Sequence, residues 1–199
     1  MNKDEVYKSV KEIVAKYGLN LKGLREILAF TDGFIEENKE KFNTELIDCK
    51  SGCGYCCVVN ISVLGIEAEN IAEYLTSDFH NDIMNLKQKL REKYLLARGL
   101  TDEERIAAKI ECIFLDDCKN CMIYPVRPIL CRSVTSTDHN KCIEAVTMSV
   151  MDEDIKIISN IYIKEIYETV YIALADVLKE KGKDCKSYRL LDIMCKLLN

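Results

Sequence analysis

The sequence predicts an all-α fold, and three observations carry that expectation. Apolar residues recur at helical spacing along most of the chain, no stretch alternates strands with helices, and the 199 residues include only 8 glycines and 2 prolines. So few chain breakers argue against a sandwich or barrel with many tight turns. Hydrophobic residues at 48% and charged residues at 31% suit a packed core rather than a disordered chain. The length suits one good core and comes within reach of two small ones. Residues 1–199 are read as a single, mostly helical domain of about seven helices.

From Lys3 to Tyr17, the residues Val6, Val10, Ile13, Val14 and Tyr17 make one helical stripe, which Gly18 ends. A second helix carries Leu21, Leu24, Ile27, Leu28, Phe34 and Ile35, with Asp32-Gly33 as a bend or break. The charge-dense EENKEK run reads as a solvated helix face. Val58–Leu64 is short, apolar and β-branched, so an extended segment is expected. Gly65–Leu75 reads as a helix with Ile66, Ile71 and Leu75 inward, and Asn81–Leu96 as another. Thr101-Asp102-Glu103-Glu104 is a capping box that starts a helix toward Ile110. Both prolines, Pro125 and Pro128, fall in an irregular region from Cys112 to Cys142. A long helix is expected from near Asp152. Its stripe is Ile158, Ile161, Tyr162, Ile166, Val170, Leu174 and Val177, and Gly182 closes it. Tyr188–Leu198 makes the last helix. Residues 1–48 then supply N-terminal helices, 49–142 a cysteine-rich region and 152–199 C-terminal helices.

The formal charge of -5 and the lack of a dominant basic stretch argue against nucleic acid as a partner. The opening MNKDEVYKSVKEIV lacks the pattern of a secretory signal. The apolar stretch Ile155–Leu178 is interrupted by Lys156, Lys164, Glu165, Glu168 and Asp176, and each central charge costs roughly 2.5–3.5 kcal/mol in a bilayer. A cytoplasmic protein with no membrane partner is therefore expected, with its thiols reduced.

That compartment decides how 11 cysteines beside only 2 histidines are read. An odd number fits a complete disulfide framework poorly, so thiolate–metal chemistry leads. Cys49, Cys53, Cys56 and Cys57 are spaced C-x3-C-x2-C-C, and Gly52 and Gly54 let the loop turn its sulfurs toward one centre. Cys112, Cys118, Cys121, Cys131 and Cys142 form a second group. Such spacings suit zinc or an iron–sulfur cluster. Two groups drawn from distant segments would also pin the irregular segments between the helices, because metal-binding energy becomes folding energy. Cys185 and Cys195, at helical positions near the C-terminus, read as ordinary core or surface thiols. Cys118 makes a C-x2-C with Cys121 and stays open as a ligand. His139 stands three residues before Cys142 but reads as a solvated loop residue, and both histidines are taken to lie far from the clusters. Arg127 and Arg132 bracket Cys131. Four thiolates around Zn2+ leave a net charge of -2, which these guanidinium groups could offset, so both are expected to serve the cofactor.

These residues resemble the YkgJ-like cysteine-cluster family of zinc- or iron-chelating proteins. The resemblance runs through Cys49, Cys53, Cys56 and Cys57, then Glu67, Ala68, Ile71 and Ala72. It continues through Cys112, Leu115, Cys121, Ile123, Tyr124, Arg127, Pro128, Cys131 and Arg132, with Cys142 as the counterpart of a later cysteine. It spans residues 49–142. Pro125 departs from the pattern, and Cys118 has no counterpart in it. The resemblance implies metal ligation by Cys49, Cys53, Cys56, Cys57, Cys112, Cys121, Cys131 and Cys142, but no particular reaction.

Cysteine usage is also distantly similar to the flagellin lysine methylases, which suggests a cluster working beside S-adenosylmethionine. Cys49-x3-Cys53-x2-Cys56 matches the radical S-adenosylmethionine spacing too, but the strand–helix alternation of those enzymes is missing. Motifs for hydrolysis or nucleotide binding are absent, and no catalytic residue is assigned. The leading function is an iron–sulfur or zinc protein in electron transfer or protein maturation. The rivals are an S-adenosylmethionine-dependent enzyme with an open iron site and a structural zinc module that presents helices to a protein partner. Near-exclusive cysteine ligation, a surplus over one tetrahedral site and the adjacent Cys56-Cys57 favour iron–sulfur over zinc.

Overall fold

Nine helices and one two-stranded antiparallel ladder make up the regular structure of the described residues, apart from short 3-10 turns. The computed structural model describes residues 3–78, 83–148 and 155–198. In chain order these are α1 (Lys3–Tyr17), α2 (Leu21–Glu37), β1 (Ser62–Leu64), α3 (Gly65–Asp78), α4 (Ile83–Ala97) and α5 (Asp102–Ala107). Then follow α6 (Ile129–Ser133), α7 (His139–Met148), α8 (Ile161–Glu180), β2 (Ser187–Arg189) and α9 (Leu190–Leu198). The fold is mostly helical, as the apolar periodicity predicts. Among the described residues no helix is long and apolar enough to cross a membrane.

Two apolar cores hold the molecule together. The first packs Val6, Val10 and Val14 of α1 against Leu24, Ile27 and Leu28 of α2 and Val170, Leu174 and Val177 of α8. Gly18, at φ +87°, turns the chain between α1 and α2, and the Asn20 side chain caps α2 by accepting from Gly23 N at 3.0 Å. The second core joins Ala68, Ile71 and Leu75 of α3, Leu86 and Leu90 of α4, and Leu191 and Met194 of α9. The ladder pairs Ser62 with Arg189 and Leu64 with Ser187. Successive side chains of a strand face opposite ways, so Leu64 enters the first core and Val63 the second. The cysteine segments lie where the cores meet: Ile129 belongs to the first, and Ile113, Phe114, Ile123 and Val126 to the second.

Several elements differ from the sequence reading. Helix α2 runs unbroken through Asp32-Gly33: Gly33 is exposed, a Cβ there would meet nothing within 4 Å, and glycine adopts helical geometry without strain. Only Ser62–Leu64 of the expected extended segment is strand, since Tyr55–Val58 closes into a 3-10 turn. The long C-terminal helix starts at Ile161, not near Asp152, which itself lies outside the described residues. Asn160 is its cap: the side chain accepts from Ile163 N at 3.1 Å and donates to Phe42 O at 2.7 Å. The buried face therefore begins with Ile163 and Tyr167, while Ile158, Ile161 and Tyr162 stay exposed. Tyr188 and Arg189 belong to β2, so the last helix begins at Leu190. Asn81 and Asp82 lie outside the described residues. The capping box at Thr101 is present with both of its hydrogen bonds.

Candidate metal centre

The segment before β1 is built to crowd its thiols together. Cys53 N donates to Lys50 O at 3.0 Å, and Gly52 adopts φ +81°, a left-handed conformation that favours glycine. Gly54 packs so closely that a Cβ there would lie 3.1 Å from Leu115 Cδ1 and 3.3 Å from Lys119 Cβ. The Tyr55–Val58 turn then sets Cys56 and Cys57 side by side.

Three later segments close on this one. Cys112 N donates to Cys57 O at 2.7 Å. An antiparallel bridge between Leu115 and Cys121 folds the loop after Cys112 back on itself, and Met122 N reinforces it on Phe114 O at 2.8 Å. Cys131 sits on the short α6. Cys142 sits on α7, which packs against the Tyr55–Val58 turn. The loop before α7 is tied back by Asp48 N on Ser136 O at 2.9 Å and by Ser136 N on Cys49 Sγ at 3.3 Å.

All eight candidate ligands thus share one neighbourhood. Cys49 interacts electrostatically with Cys53, Cys56 and Cys142, Cys57 with Cys112 and Cys121, and Cys131 with Cys112 and Cys121. As they stand the thiols are neighbours, not a closed ligand shell. Among the described residues no group of three or more Cys, His, Asp or Glu is placed to hold a metal ion.

Burial sets the acidity of these groups. It pushes Cys112 up to about 11 and Cys131 well above the ordinary thiol value, and it raises Cys49, Cys53 and Cys121 as well. Cys56 is instead lowered, first by its hydrogen bond with Cys57 and further by the Arg127 cation; Cys57 is raised in return. Buried thiols of this kind are costly to ionise alone and release their protons when a metal takes their place.

The two arginines differ. Arg127 lies over the Tyr124 ring at 5.3 Å, donates to the Cys131 carbonyl, and favours ionisation of Cys56, Cys121 and Cys131. Arg132 spends its donors on Asp32 at 2.6 Å, Arg127 O at 2.9 Å and Pro125 O at 3.2 Å. It braces the loop before α6 against α2, and its charge also favours ionisation of Cys121. His139, taken from the sequence to be far from the clusters, lies beside them. Its ring nitrogen bonds the Asp48 carboxylate, and its backbone N–H reaches the same oxygen at 3.1 Å. Cys118 is exposed in a loop organised by Asp116, its N–H donating to Asp116 Oδ1 at 2.9 Å. Cys185 lies in the turn after α8, not on a helix, and packs on the first core; Cys195 packs on the second.

Glu67 is the residue whose role the sequence did not announce. It is 3% exposed, and its two oxygens accept from Leu64 N at 2.9 Å and from Ile129 N at 2.7 Å. One carboxylate thus joins β1 to the first turn of α6, two residues before Cys131. The available signal was an acid set between the apolar Ile66 and Ala68, both of which are buried.

Residues 48–153 match the model of a family described as "CxxCxxCC: Putative zinc- or iron-chelating domain". The chain belongs to this family. Zinc- or iron-binding through cysteines follows from that membership, in line with the sequence resemblance. The chelating-domain match takes in all eight candidate ligands together with Glu67, Arg127 and Arg132. No curated protein and no solved structure matched the chain.

Proposed function

We propose that this protein uses Cys49, Cys53, Cys56, Cys57, Cys112, Cys121, Cys131 and Cys142 to hold iron–sulfur in preference to zinc, in electron transfer or protein maturation. The observation that carries this reading is the gathering of thiols from separate segments, with Arg127 acting on Cys56, Cys121 and Cys131, Arg132 on Cys121, and Arg105 and Lys93 on Cys112. The donor set fits a thiophilic metal, and both zinc and iron–sulfur accept four thiolates per centre. Each cysteine turns on one χ1 bond with three staggered wells, so closing the set calls for rotation of side chains. His139, the only histidine among the described residues, bonds Asp48 through Nδ1, which leaves Nε2 outside that bond, so the preference for an all-sulfur site rests on the number of cysteines. An iron–sulfur group held there supplies one-electron chemistry. Arg127 offsets the negative charge of the thiolates, Glu67 fixes the segment bearing Cys131, and the second core packs against Cys112 and Cys121.

Residues 49–142 form the metal-binding region in this reading, held between helices of 1–48 and 152–199, and a reducing, cytoplasmic setting suits its free thiols. The enzyme reading gains no support from the two described cavities. One is lined by Lys3, Tyr7, Glu165 and Ile172, the other by Arg91, Tyr94, Asp192 and Cys195, and none of the eight candidate ligands lines either. Iron, zinc and acid-labile sulfide should be counted in protein purified without oxygen. Iron with matching sulfide is expected. Zinc without sulfide would replace the electron-transfer role with a structural module that presents helices to a partner, and neither metal would reject the proposal.

A further inference from the structure

We infer that the eight cysteines divide into two four-thiolate centres that cut across the sequence clusters: Cys49, Cys53, Cys56 and Cys142 in one, Cys57, Cys112, Cys121 and Cys131 in the other. This rests on the reading of these cysteines as ligands and adds how they are shared.

The division follows the backbone connections. Cys142 belongs by sequence to the second group, yet the chain before it is tied to the first. Ser136 N donates to Cys49 Sγ, Asp48 N donates to Ser136 O, and His139 N reaches the Asp48 carboxylate. Helix α7, which carries Cys142, packs against the turn that carries both Cys56 and Cys57. Cys49 and Cys53 both interact with Cys56 and Cys142. Cys57 belongs by sequence to the first group, yet its carbonyl accepts from Cys112 N at 2.7 Å. Cys112 and Cys121 lie on the two arms of one hairpin, closed by the Leu115–Cys121 bridge. Arg127 holds the Cys131 carbonyl, and Cys131 interacts with Cys112 and Cys121.

The Cys56-Cys57 peptide is where the two sets divide. A 3-10 turn advances about 120° per residue, so consecutive side chains on it diverge. Cys57 interacts with Cys112 and Cys121, and Cys56 with Cys49 and Cys53. Cys121 also interacts with Cys56, so it is the member of the second set nearest the first in this respect. Four thiolates per centre match the shell that zinc, iron–sulfur clusters and cobalt(II) accept.

The test is cobalt(II) titration of reduced, metal-free full-length protein, read by thiolate-to-cobalt absorption and by native mass spectrometry. The parent is expected to take two cobalt ions per chain, and Cys49→Ser and Cys112→Ser one each. The informative comparison uses double variants. Cys49→Ser with Cys142→Ser should keep one cobalt, because both changes fall in the same centre. Cys49→Ser with Cys112→Ser should keep none. If the Cys49/Cys142 pair keeps none, the division follows sequence order and the inference is overturned. A parent that takes one cobalt, lost in either single variant, also overturns it while leaving thiolate metal binding intact. A parent that takes none rejects the ligand reading itself. Helical circular dichroism checks folding, and Cys53→Ser and Cys131→Ser replace any variant that loses helicity.

Discussion

Glu67 offers a perturbation whose size can be worked from the structure. Burial raises its carboxyl from an ordinary value of 4.5 to about 7, against the opposing pull of Leu64 N, Ile129 N and Arg132. A carboxyl with a raised value binds a proton more readily folded than unfolded. Its contribution is therefore fully present below about pH 4.5 and is lost as the pH rises through about 7. From pH 5 to pH 8 this loss amounts to about 2–3 kcal/mol. Glu67→Gln removes the titration but sets an amide NH2 against one of the two backbone N–H donors, at a cost of about 1–3 kcal/mol. The variant should thus be less stable than the parent at pH 5 and equal to it or slightly more stable at pH 8. Urea unfolding of both proteins, reduced and stripped of metal so that ligand protons cancel, reads the difference directly. A parent-minus-variant gap that stays constant from pH 5 to pH 8, or widens, would refute the reasoning.

Further outcomes follow from the same geometry. Arg127→Leu should leave the metal in place and lower the reduction potential of an iron–sulfur centre by roughly 50–100 mV in protein-film voltammetry, because a positive charge beside the thiolates favours the more negative, reduced state. Gly54→Ala should push on Leu115 and Lys119, cost about 1–3 kcal/mol in chemical denaturation and weaken metal retention against a chelator. Cys185→Ser and Cys195→Ala should keep the parent's metal content at a packing cost of about 1 kcal/mol, whereas Cys53→Ala should lose metal and the stability that comes with it.

The helices facing the two cores were legible because their apolar stripes keep one period over several turns, as in α1 with Val6, Val10 and Val14. The start of α8 was not. Ile158, Ile161 and Tyr162 continue the apolar pattern, but Asn160 wins, since its side chain satisfies both Ile163 N and Phe42 O. The partner of β1 was hidden because Arg189 is far away in sequence from Ser62, and three-residue strands carry little periodicity. The helices α6 and α7 lay inside a region read as irregular, which is why about seven helices were expected and nine are described. The candidate cysteines could be picked out from spacing and glycine placement. Their supports could not, because Glu67 on Ile129 and Asp48 on His139 are long-range contacts that no local pattern encodes.

The claim that the cysteines form an all-sulfur metal site is tested most directly by X-ray absorption at the edge of the bound metal in anaerobically purified protein. The expected spectrum shows sulfur alone as the nearest scatterer, about four atoms per metal at about 2.3 Å. Nearest scatterers that are nitrogen or oxygen, from His139, a carboxylate or water, would contradict it.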